Sequence, residues 1–449
     1  MADLNLRPKF HITGDEGWIN DPNGLIKFGG KYHVFYQSYP ADTNWGPIIW
    51  GHSISDDLTH WEYLPHALYP DRKYDRDGCF SGSAIEFNGK LYLMYTGYSI
   101  NGGGSNVRQV QCLAESSDGV SFKKLGVVIS ADDLPDGYSK ADFRDPKVWR
   151  ENGKFYALMA ARVKHGRGRL LLYSSDDLLS WKFEFDVFGK DCDGIMLECP
   201  DYNPELGLLI YSEQFAPVEG SKHLNIHTTR FVVGKLDLEK KCFIQTGDSD
   251  ICDYGFDFYA PQTFSGENIA IGWMDMWDRS HPSSQFGFSG MLTVPRRLSV
   301  KNGRMVQSPI VATGPAVEKS VKTNLVDKIK TGVISLRATE LSALTLKMRC
   351  GGGYYTSLKL DGDEWIFDRS ASGTEIRGHE KDLDSVHGLR RMPFIHKPTT
   401  ELTVVFDKYS VEIFEDGRAL TATIYPPDDA DGLEFEVKAD KCIYSRSEV

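Results

Sequence analysis

The chain has 449 residues, of which 41% are hydrophobic and 12% aromatic, and its formal net charge is −12 with a pI near 5.5. This composition permits a large hydrophobic core and two or three domains. The acidic balance argues against nucleic acid or an anionic membrane as the main partner. No run of residues approaches the roughly 18 apolar positions that a transmembrane helix requires.

The N-terminal residues 1–9 lack the apolar region of a signal peptide, so we expect a cytoplasmic protein if this is the native start. Eight cysteines are scattered along the chain without a CxxC pair. We therefore expect reduced, mostly buried thiols and neither a disulfide framework nor a zinc site. The sequence does not predict the oligomeric state.

The first motif along the chain is Trp-Ile-Asn-Asp-Pro-Asn-Gly at residues 18–24. It is a series of turn-forming residues, because proline fixes φ and glycine permits a positive φ. An alternating apolar strand is predicted just after it, at residues 31–37. By itself the motif is typical of a tight surface turn, but altered forms of it recur further on, and two of them carry a carboxylate.

A glycine followed by an alternating apolar strand recurs five times. The glycines are 59, 64, 54 and 59 residues apart, at Gly30, Gly89, Gly153, Gly207 and Gly266. A second signature, Ser-Asp-Asp-Leu-x-x-Trp at residues 55–61 and 175–181, is typical of a turn that leads into an outer strand. Short strands repeated five times, without helical periodicity, predict an all-β fold that begins with a five-bladed β-propeller. A β-sandwich array or a β-solenoid is the alternative.

The propeller makes a geometric prediction about the strands that line its central channel. Positions eight to ten residues before each repeat glycine should lie on these innermost strands, and they hold Asp21, Ser81, Asp145, Glu198 and Phe258. Innermost strands converge on one axis, so Asp21, Asp145 and Glu198 should meet at one end of the channel. Clustered carboxylates are unfavourable in a partly desolvated pocket, which indicates a metal site or a proton-transfer function.

The composition changes near residue 300. We predict a propeller over residues 1–307, a linker over 308–318 and a C-terminal β-sandwich over 319–449. Alternating strands at intervals of about ten residues are typical of a sandwich. They are predicted at residues 333–337, 344–348, 357–360, 402–406, 410–414, 422–425 and 433–437. This domain carries no comparable cluster of acids, so we expect a role in structure, assembly or substrate contacts at the rim.

The surroundings of the three acids favour sugar chemistry over a metal site, and we predict neither a metal nor a cofactor. Flat aromatic faces that could stack on sugar rings are offered by Trp18, Trp45, Trp50, Phe80, Tyr259 and Trp273. Hydrogen bonds to hydroxyl groups are offered by Asn20, Gln37, Ser81 and Arg144. Cleavage of a glycoside needs two carboxyl groups that flank the bond. The predicted partner is a small sugar.

The local sequence suggests different roles for the three acids. Asp21 lies in a turn rich in N–H donors, which favour the anion and suit a nucleophile. Glu198 lies between apolar pairs, which should raise its pKa as a general acid requires. Asp145 follows Arg144, which should keep it ionised and suit it to binding ring hydroxyls and stabilising the transition state.

In these motifs the chain resembles glycoside hydrolase family 32, which contains invertases, sucrose-6-phosphate hydrolases and fructanases. The motifs are residues 18–24, Phe-Ser-Gly-Ser at 80–83, Phe-Arg-Asp-Pro-Lys-Val at 143–148, Glu-Cys-Pro at 198–200, Asp-Phe-Tyr-Ala-Pro-Gln at 257–262, Val-Pro-Arg-Arg-Leu at 294–298 and Ser-Val-Glu-Ile-Phe at 410–414. The resemblance implies a propeller followed by a sandwich, no cofactor and a retaining mechanism through a fructosyl-enzyme. By position it implies that Asp21 is the nucleophile, Asp145 the transition-state stabiliser and Glu198 the acid/base. Retention predicts carboxyl groups of Asp21 and Glu198 about 5–5.5 Å apart.

Two departures from the family pattern, Arg297 in place of a glutamate and Leu197 in place of an aromatic residue, could alter the pocket rim. An inverting propeller glycosidase acting on arabinan or xylan and a non-catalytic sugar-binding propeller are the rival functions. Sucrose, sucrose 6-phosphate and short fructo-oligosaccharides all remain possible substrates. Candidates for a phosphate site are the basic run at Arg162, Lys164, His165, Arg167 and Arg169, and the Arg-Ser-His sequence at 279–281.

Overall fold

The computed structural model describes residues 6–101, 106–378 and 388–449. Nearly all regular structure in these ranges is β-strand, accompanied by two short 3₁₀ helices at Ala131–Asp133 and Pro282–Phe286. None of the helices in the described ranges is long and apolar enough to cross a membrane. All eight cysteines are free thiols, and six of them are buried.

Five antiparallel sheets, the blades, follow one another along the chain. The first consists of β1 (Gly17–Phe28), β2 (Lys31–Tyr39), β3 (Ile49–Ser55) and β4 (Glu62–Leu68). The second consists of β5 (Gly78–Phe87), β6 (Lys90–Asn101), β7 (Asn106–Ser116) and β8 (Lys123–Ile129). The third consists of β9 (Tyr138–Glu151), β10 (Lys154–Val163), β11 (Gly168–Ser175) and β12 (Trp181–Phe188).

The last two blades complete the series. The fourth consists of β13 (Leu197–Asn203), β14 (Leu208–Gln214), β15 (His227–Asp237) and β16 (Cys242–Ile251). The fifth is built from β17 (Tyr259–Thr263), β18 (Ile269–Met274), β21 (Arg296–Lys301) and β22 (Arg304–Pro309). Two short strands join neighbouring blades, because β19 (Phe288–Ser289) pairs with β1 and β20 (Met291–Leu292) pairs with β18.

The first strands of the five blades form a closed ring. Each of β1, β5, β9 and β13 contacts the first strand of the following blade, and β17 returns to contact β1. The parallel pairing of Gly17 with Phe288 ties the start of the propeller to its last segment. The structure therefore confirms the predicted five-bladed propeller.

The five repeat glycines have one structural role. Each lies in the turn between the first and second strands of its blade, with φ between 60° and 87°. At four of the five positions, Gly207 being the exception, an added Cβ would meet nothing within 4 Å. The left-handed backbone, and not a lack of space, is thus what favours glycine there.

The second domain is a sandwich of two six-stranded sheets. One sheet contains β23 (Val317–Val321), β25 (Gly332–Thr339), β30 (Thr399–Asp407), β31 (Ser410–Glu415), β32 (Arg418–Thr423) and β34 (Lys441–Glu448). The other contains β24 (Asn324–Lys328), β26 (Ala343–Gly351), β27 (Tyr354–Asp361), β28 (Glu364–Asp368), β29 (Leu389–Pro393) and β33 (Gly432–Lys438). Alternate residues of both sheets are buried in one apolar core, as period-2 patterning requires.

Six of the seven strands predicted for this domain are confirmed. The seventh was misplaced, because β32 ends at Thr423 and Ile424 and Tyr425 lie beyond it. The prolines at 426 and 427 cannot donate to a strand ladder, and β32 ends three residues before the first of them. The predicted domain boundaries stay a prediction.

Buried charges join the two domains. Arg296 of the fifth blade donates to Glu412 of the sandwich at 2.7 Å and to Asp253 at 2.9 Å, and all three side chains are at most 2% exposed. His11, which precedes the first blade, contacts Asp407 at 2.8 Å and Glu412 at 3.0 Å. Burial by itself would lower the pKa of His11, but the hydrogen bonds and charges of these two carboxylates outweigh it and raise that pKa to about 9.

The raised pKa of His11 makes the stability of the protein depend on pH. The folded-state pKa of His11 is about 9 and its ordinary value is 6.5, so its stabilising effect is fully present below pH 6.5 and is lost as the pH rises through 9. A shift of this size corresponds to roughly 3 kcal/mol. We expect His11→Gln to lower the Tm strongly at pH 6 and much less at pH 9.5, measured by calorimetry. The exposed pair His396–Asp363 supplies the control, His396→Gln, which should lower the Tm by little at either pH. An equal loss at both pH values for His11→Gln would contradict the prediction.

Candidate active site

A β-bulge interrupts the first strand of every blade at an equivalent place. The ladder between first and second strands shifts register within residues 19–22, 80–82, 144–147, 198–201 and 259–262. Four of these bulges contain a proline, which cannot donate a hydrogen bond to the ladder, and the fifth contains Gly82. A Cβ at Gly82 would lie 2.0 Å from the carbonyl oxygen of Met94, so only glycine fits.

The bulges show which residues occupy equivalent positions in the five blades. Asp21, Ser81 and Asp145 do occupy equivalent positions before the proline or Gly82, as predicted, but the fourth and fifth positions belong to Cys199 and Ala260. Glu198 lies one residue earlier, in the layer that also contains Asn20, Phe80, Arg144 and Tyr259. Phe258 is a core residue packed with Ile210 and Cys252. The distance from this position to the repeat glycine differs between blades, nine residues in the first and six in the fifth, so a similar spacing in every repeat misplaces the fourth and fifth positions.

The layer nearer the channel opening surrounds Glu198. Arg144 donates from Nη2 to Glu198 Oε1 at 2.8 Å, and the Tyr259 hydroxyl donates to Glu198 Oε2 at 2.6 Å. Arg144 also lies 3.8 Å from Asp145 Oδ2. Three blades thus contribute to one carboxylate, whose side chain is 15% exposed.

The layer below contains the two aspartates. Ser81 Oγ donates to Asp21 Oδ2 at 2.7 Å, and Asn20 Nδ2 donates to Oδ1 at 3.0 Å. The thiol of Cys199 lies 3.4 Å from Asp21 Oδ2, while its backbone N–H donates to Asp145 Oδ2 at 3.0 Å. Cys199 therefore contacts both aspartates, which brings Asp21, Asp145 and Glu198 together as predicted from the repeats.

Two contacts of this layer were missed from the sequence. The Thr96 hydroxyl accepts a hydrogen bond from the backbone N–H of Asp145 at 3.0 Å, and no sequence pattern marks it. Cys199 could have been found, because it holds the position before proline that Asp21 and Asp145 hold in their own blades. A positive φ at Asp145 and at Cys199, 62° and 45°, turns both residues out of the regular strand.

A buried ion pair closes the channel beneath the aspartates. Lys147 Nζ donates to Asp201 Oδ2 at 2.6 Å and to the carbonyl and hydroxyl oxygens of Thr263 at 2.8 and 3.0 Å. Gln262 donates to the carbonyl of Gly82 at 2.7 Å. These bonds link the third, fourth, fifth and second blades, so the pocket has a rigid polar floor.

The pKa values of all three acids are shifted in directions opposite to those expected from the local sequence. Burial is the largest cause of a raised pKa at Asp21, and burial together with the charges of Glu198 and Asp21 raises the pKa of Asp145 to about 7 despite Arg144. Burial also acts to raise the pKa of Glu198, but the charge of Arg144 and the hydrogen bond of Tyr259 lower it overall. The expected shifts at Asp145 and Glu198 are reversed, because burial and the neighbouring carboxylates outweigh Arg144 at Asp145, whereas Arg144 and Tyr259 outweigh burial at Glu198.

Tyr259 therefore has a testable effect on the pH profile. Its hydroxyl favours the anion of Glu198, so Tyr259→Phe should raise the pKa of Glu198 and move the alkaline limb of kcat/KM to higher pH. The measurement is kcat/KM between pH 4 and 9 for both proteins. Tyr202→Phe, which removes a buried hydroxyl bonded to the Leu236 N–H away from the pocket, should leave the profile in place. If the alkaline limb of kcat/KM stays fixed or moves to lower pH in Tyr259→Phe, the Tyr259 hydroxyl does not lower the pKa of Glu198 as inferred.

The predicted aromatic surface is only partly present. Trp50 and Trp273 are fully buried, so the prediction that their faces stack on a sugar was wrong; Trp273 packs beneath Trp18 with ring centroids 5.7 Å apart. Trp18 and Tyr259 are at most 4% exposed, and the Trp18 indole N–H donates to Asn20 at 2.8 Å. Trp45 is 47% exposed and lies edge-on to Phe80, which stacks on Tyr98 at 4.3 Å.

Other predicted residues act within the propeller. Gln37 is buried and donates to the carbonyl of Cys79 at 3.1 Å, which joins the first two blades. Leu197 is fully buried in the core between the third and fourth blades, and Arg297 is exposed on β21. Their departure from the family pattern therefore affects a core position and an outer strand.

The channel opening, which we call the mouth, lies at the end where the second strand of each blade stops and the third begins. The connections there include residues 40–48, 164–167, 215–226 and 275–287. Lys164, His165 and Arg167 are exposed on the third blade's connection. Arg162 is held by Asp142 at 2.7 Å, and Arg169 donates to the carbonyls of Gly168 and Gly189 at 2.7 Å. Three of the five residues of the predicted basic run are therefore exposed at the mouth, and a phosphate site there stays a prediction.

The second phosphate candidate also has internal partners. Arg279 is buried and donates to Asp257 at 2.6 Å and Asn225 at 2.9 Å, and Asp257 in turn accepts from Arg369 of the sandwich. His281 contacts Asp275 at 2.7 Å, edge-on to Trp18. Across residues 6–101, 106–378 and 388–449, no group of three or more histidines, cysteines and acids is arranged to hold a metal ion.

Comparison with known proteins identifies the architecture. The family model described as Glycosyl hydrolases family 32 N-terminal domain matches residues 11–309, and the corresponding C-terminal model matches residues 302–447. The sucrose-6-phosphate hydrolase of Zymomonas mobilis is 36% identical over 443 residues, which span 91% of this chain and 83% of that protein. The raffinose invertase of Escherichia coli is 35% identical over 442 residues, spanning 95% and 91%.

A solved structure is similar to this chain over almost its whole length. The sucrose-6-phosphate hydrolase from Lactobacillus gasseri has a TM-score of 0.90 and 27% identity, covering 99% of this chain and 93% of that chain. The family models cover both domains, and the similarity to each relative extends over nearly the whole chain. The chain therefore belongs to glycosyl hydrolase family 32, and it is a glycoside hydrolase.

Proposed function

We propose that this chain is a retaining β-fructofuranosidase that releases the terminal β-D-fructofuranosyl unit of sucrose or a closely related fructoside. The observation that carries the proposal is the convergence of Asp21, Asp145 and Glu198 around Cys199 at the mouth end of the channel. Three blades bring these carboxylates together in a pocket closed below by Lys147 and Asp201. Retaining and inverting glycosidases both use two carboxyl groups that flank the scissile bond, and the resemblance to family 32 is what favours retention here.

In this proposal Asp21 is the nucleophile. Its carboxylate attacks the anomeric carbon of the fructosyl unit while the bond to the leaving oxygen breaks, which forms a fructosyl-enzyme. The hydrogen bonds from Ser81 and Asn20 hold the carboxylate in one orientation. A carboxyl separation of about 5–5.5 Å between Asp21 and Glu198 stays a prediction.

Glu198 is proposed as the acid/base. It donates a proton to the leaving oxygen in the first step and removes one from the attacking water in the second. Because Arg144 and Tyr259 lower its pKa, Glu198 is ionised more readily than a general acid requires. The three carboxyls interact, so the proton is shared among them, and the fraction of enzyme with the proton on Glu198 sets the pH dependence.

Asp145 is proposed to bind fructosyl hydroxyls and stabilise the transition state. Its backbone is held by Thr96 and its side chain by the Cys199 N–H, so the carboxyl is rigidly placed. Arg144, Asn20 and Trp18 are proposed as further contacts to the sugar, with Trp45, Phe80 and Ser81 on the side of the first two blades. The cytoplasmic location stays a prediction.

The direct test is fructose release from sucrose and from sucrose 6-phosphate in parallel, with Asp21→Ala as the blank. A preference for the phosphate ester would assign the exposed Lys164, His165 and Arg167 to phosphate binding, and Lys164→Gln should then reduce that preference alone. Equal or better cleavage of sucrose would identify an invertase-type enzyme. If the wild type matches the blank on both, the proposal fails for these substrates.

The rival mechanisms have their own signatures. Proton NMR of the first product distinguishes retention from inversion, since a retaining enzyme releases β-fructofuranose initially. Release of the opposite anomer would favour an inverting glycosidase. Sugar binding in calorimetry without turnover would favour a non-catalytic propeller.

A further inference from the structure

Phe215 is an exposed aromatic residue at the mouth that none of the proposed roles uses. It is the first residue after β14, in the fourth blade's connection at 215–226, and 41% of it is exposed. Ile195 and Val218 nearby are 47% and 50% exposed, and the Ile195 N–H donates to the carbonyl of Gln214. The fourth blade thus presents an apolar rim in an otherwise acidic protein.

A chain of ring contacts connects Phe215 to Glu198. The Phe215 ring lies edge-on to His227, with centroids 4.7 Å apart and an interplanar angle of 89°. The His227 ring lies 5.6 Å from the ring of Tyr259, whose hydroxyl donates to Glu198 at 2.6 Å. Phe215 is therefore held on the mouth side of the proposed acid/base.

The backbone of Phe215 is strained. Its φ is 57°, a conformation that bulky residues rarely adopt, and its N–H donates to the carbonyl of Ile226 at 3.2 Å. Strain of this kind persists only where surrounding contacts impose it, and it is frequent at ligand-binding positions. Here it accompanies a half-exposed ring.

We propose that Phe215 is a platform for the leaving-group sugar, which stacks the apolar face of its ring on the phenyl ring. This inference rests on the proposed function. A general acid must contact the glycosidic oxygen, so the leaving sugar extends from Glu198 towards the mouth. Trp45 and Phe80 belong to the first and second blades, neither of which adjoins the fourth, so Phe215 would contact the sugar from the other side. The platform makes Phe215 a determinant of specificity for the leaving group.

The test compares two substrates with the same fructosyl unit. Sucrose has a hexose leaving group, whereas methyl β-D-fructofuranoside has only a methoxy group and cannot reach the platform. In Phe215→Ala we expect kcat/KM for sucrose to fall about tenfold, chiefly through KM, and kcat/KM for the methyl fructoside to change by less than about twofold. Phe215→Trp, which keeps an aromatic face, should retain most of the activity on sucrose.

Two controls separate the ring from the backbone. Phe215→Gly suits a φ of 57° and removes the ring, so it should lose sucrose selectivity as Phe215→Ala does. Leu179→Ala removes an apolar side chain of similar exposure at the opposite end of the propeller and should change neither substrate. An equal loss on both substrates, no loss on sucrose, or full activity of Phe215→Gly would overturn the inference while leaving the proposed function in place. Wild-type enzyme that releases no fructose from either substrate would overturn both.

Discussion

Replacing Asp21 with asparagine is expected to lower kcat for sucrose hydrolysis by about 10⁴-fold or more, because an amide cannot form the fructosyl-enzyme. The replacement is nearly isosteric, and the hydrogen bond from Ser81 can be retained. The measurement is single-turnover release of fructose, with the protein purified away from any wild-type enzyme. Mass spectrometry should detect no covalent adduct on residue 21 after incubation with an activated fructoside.

Asp21→Asn is also expected to change the stability of the protein. Burial raises the pKa of Asp21 and the charge of Glu198 raises it further, so the ionised carboxyl is destabilising at neutral pH. Asp21→Asn should therefore fold with an unchanged or higher Tm at pH 8. Asp186→Asn, at a carboxylate of the third blade that accepts from Tyr138 outside the pocket, should keep kcat within about threefold of wild type. Substantial activity in Asp21→Asn would remove the nucleophile assignment.

Replacing Glu198 with alanine should lower kcat/KM for sucrose by about 10³- to 10⁴-fold, since the leaving alkoxide would depart without a proton. The loss should be far smaller for a nitrophenyl β-D-fructofuranoside, because a nitrophenolate needs little protonation. This dependence on the leaving group distinguishes a general acid from a residue that only binds the sugar. The measurement is kcat/KM for both substrates at the pH optimum of the wild type.

Rescue of Glu198→Ala by azide is a second test of the acid/base role of Glu198. An anion that needs no general base should attack the fructosyl-enzyme of Glu198→Ala and restore turnover of the nitrophenyl fructoside, with β-fructosyl azide as the product. Arg144 and Tyr259 would lose their shared acceptor in this variant, so calorimetry should accompany the kinetics. Equal losses on both substrates without rescue by azide would contradict the acid/base role.

The fold was predictable because its signals are local. The five glycines mark hairpin turns that need a positive φ, and period-2 patterning marks the strands of both domains. Asp21, Asp145 and Glu198 were found because all three lie eight to ten residues before a repeat glycine. The position of Glu198 within the repeat was wrong by one residue, because Cys199 is the residue that precedes the proline in the fourth blade.

The chemistry of the pocket was less predictable, because charges act across space. Arg144 is next to Asp145 in sequence, yet its hydrogen bond goes to Glu198 on the neighbouring blade. Tyr259 reaches the same carboxylate from the fifth blade, and together they lower a pKa that the apolar flanking residues were expected to raise. Trp50 and Trp273 were predicted to stack on the sugar because they are aromatic, but the residue type does not indicate exposure, and both are fully buried.

The sequence by itself determined the all-β architecture, the five-fold repeat, the sandwich and the three acids, since turn residues, alternation and motifs are properties of short segments. The tertiary structure alone decided which residues share a layer, in which direction the pKa of each carboxyl is shifted, how His11 and Arg296 join the domains, and that Phe215 lies at the mouth. These depend on burial and on distances of a few ångströms between side chains that are tens to hundreds of residues apart, where the desolvation and Coulomb energies of a charge are set.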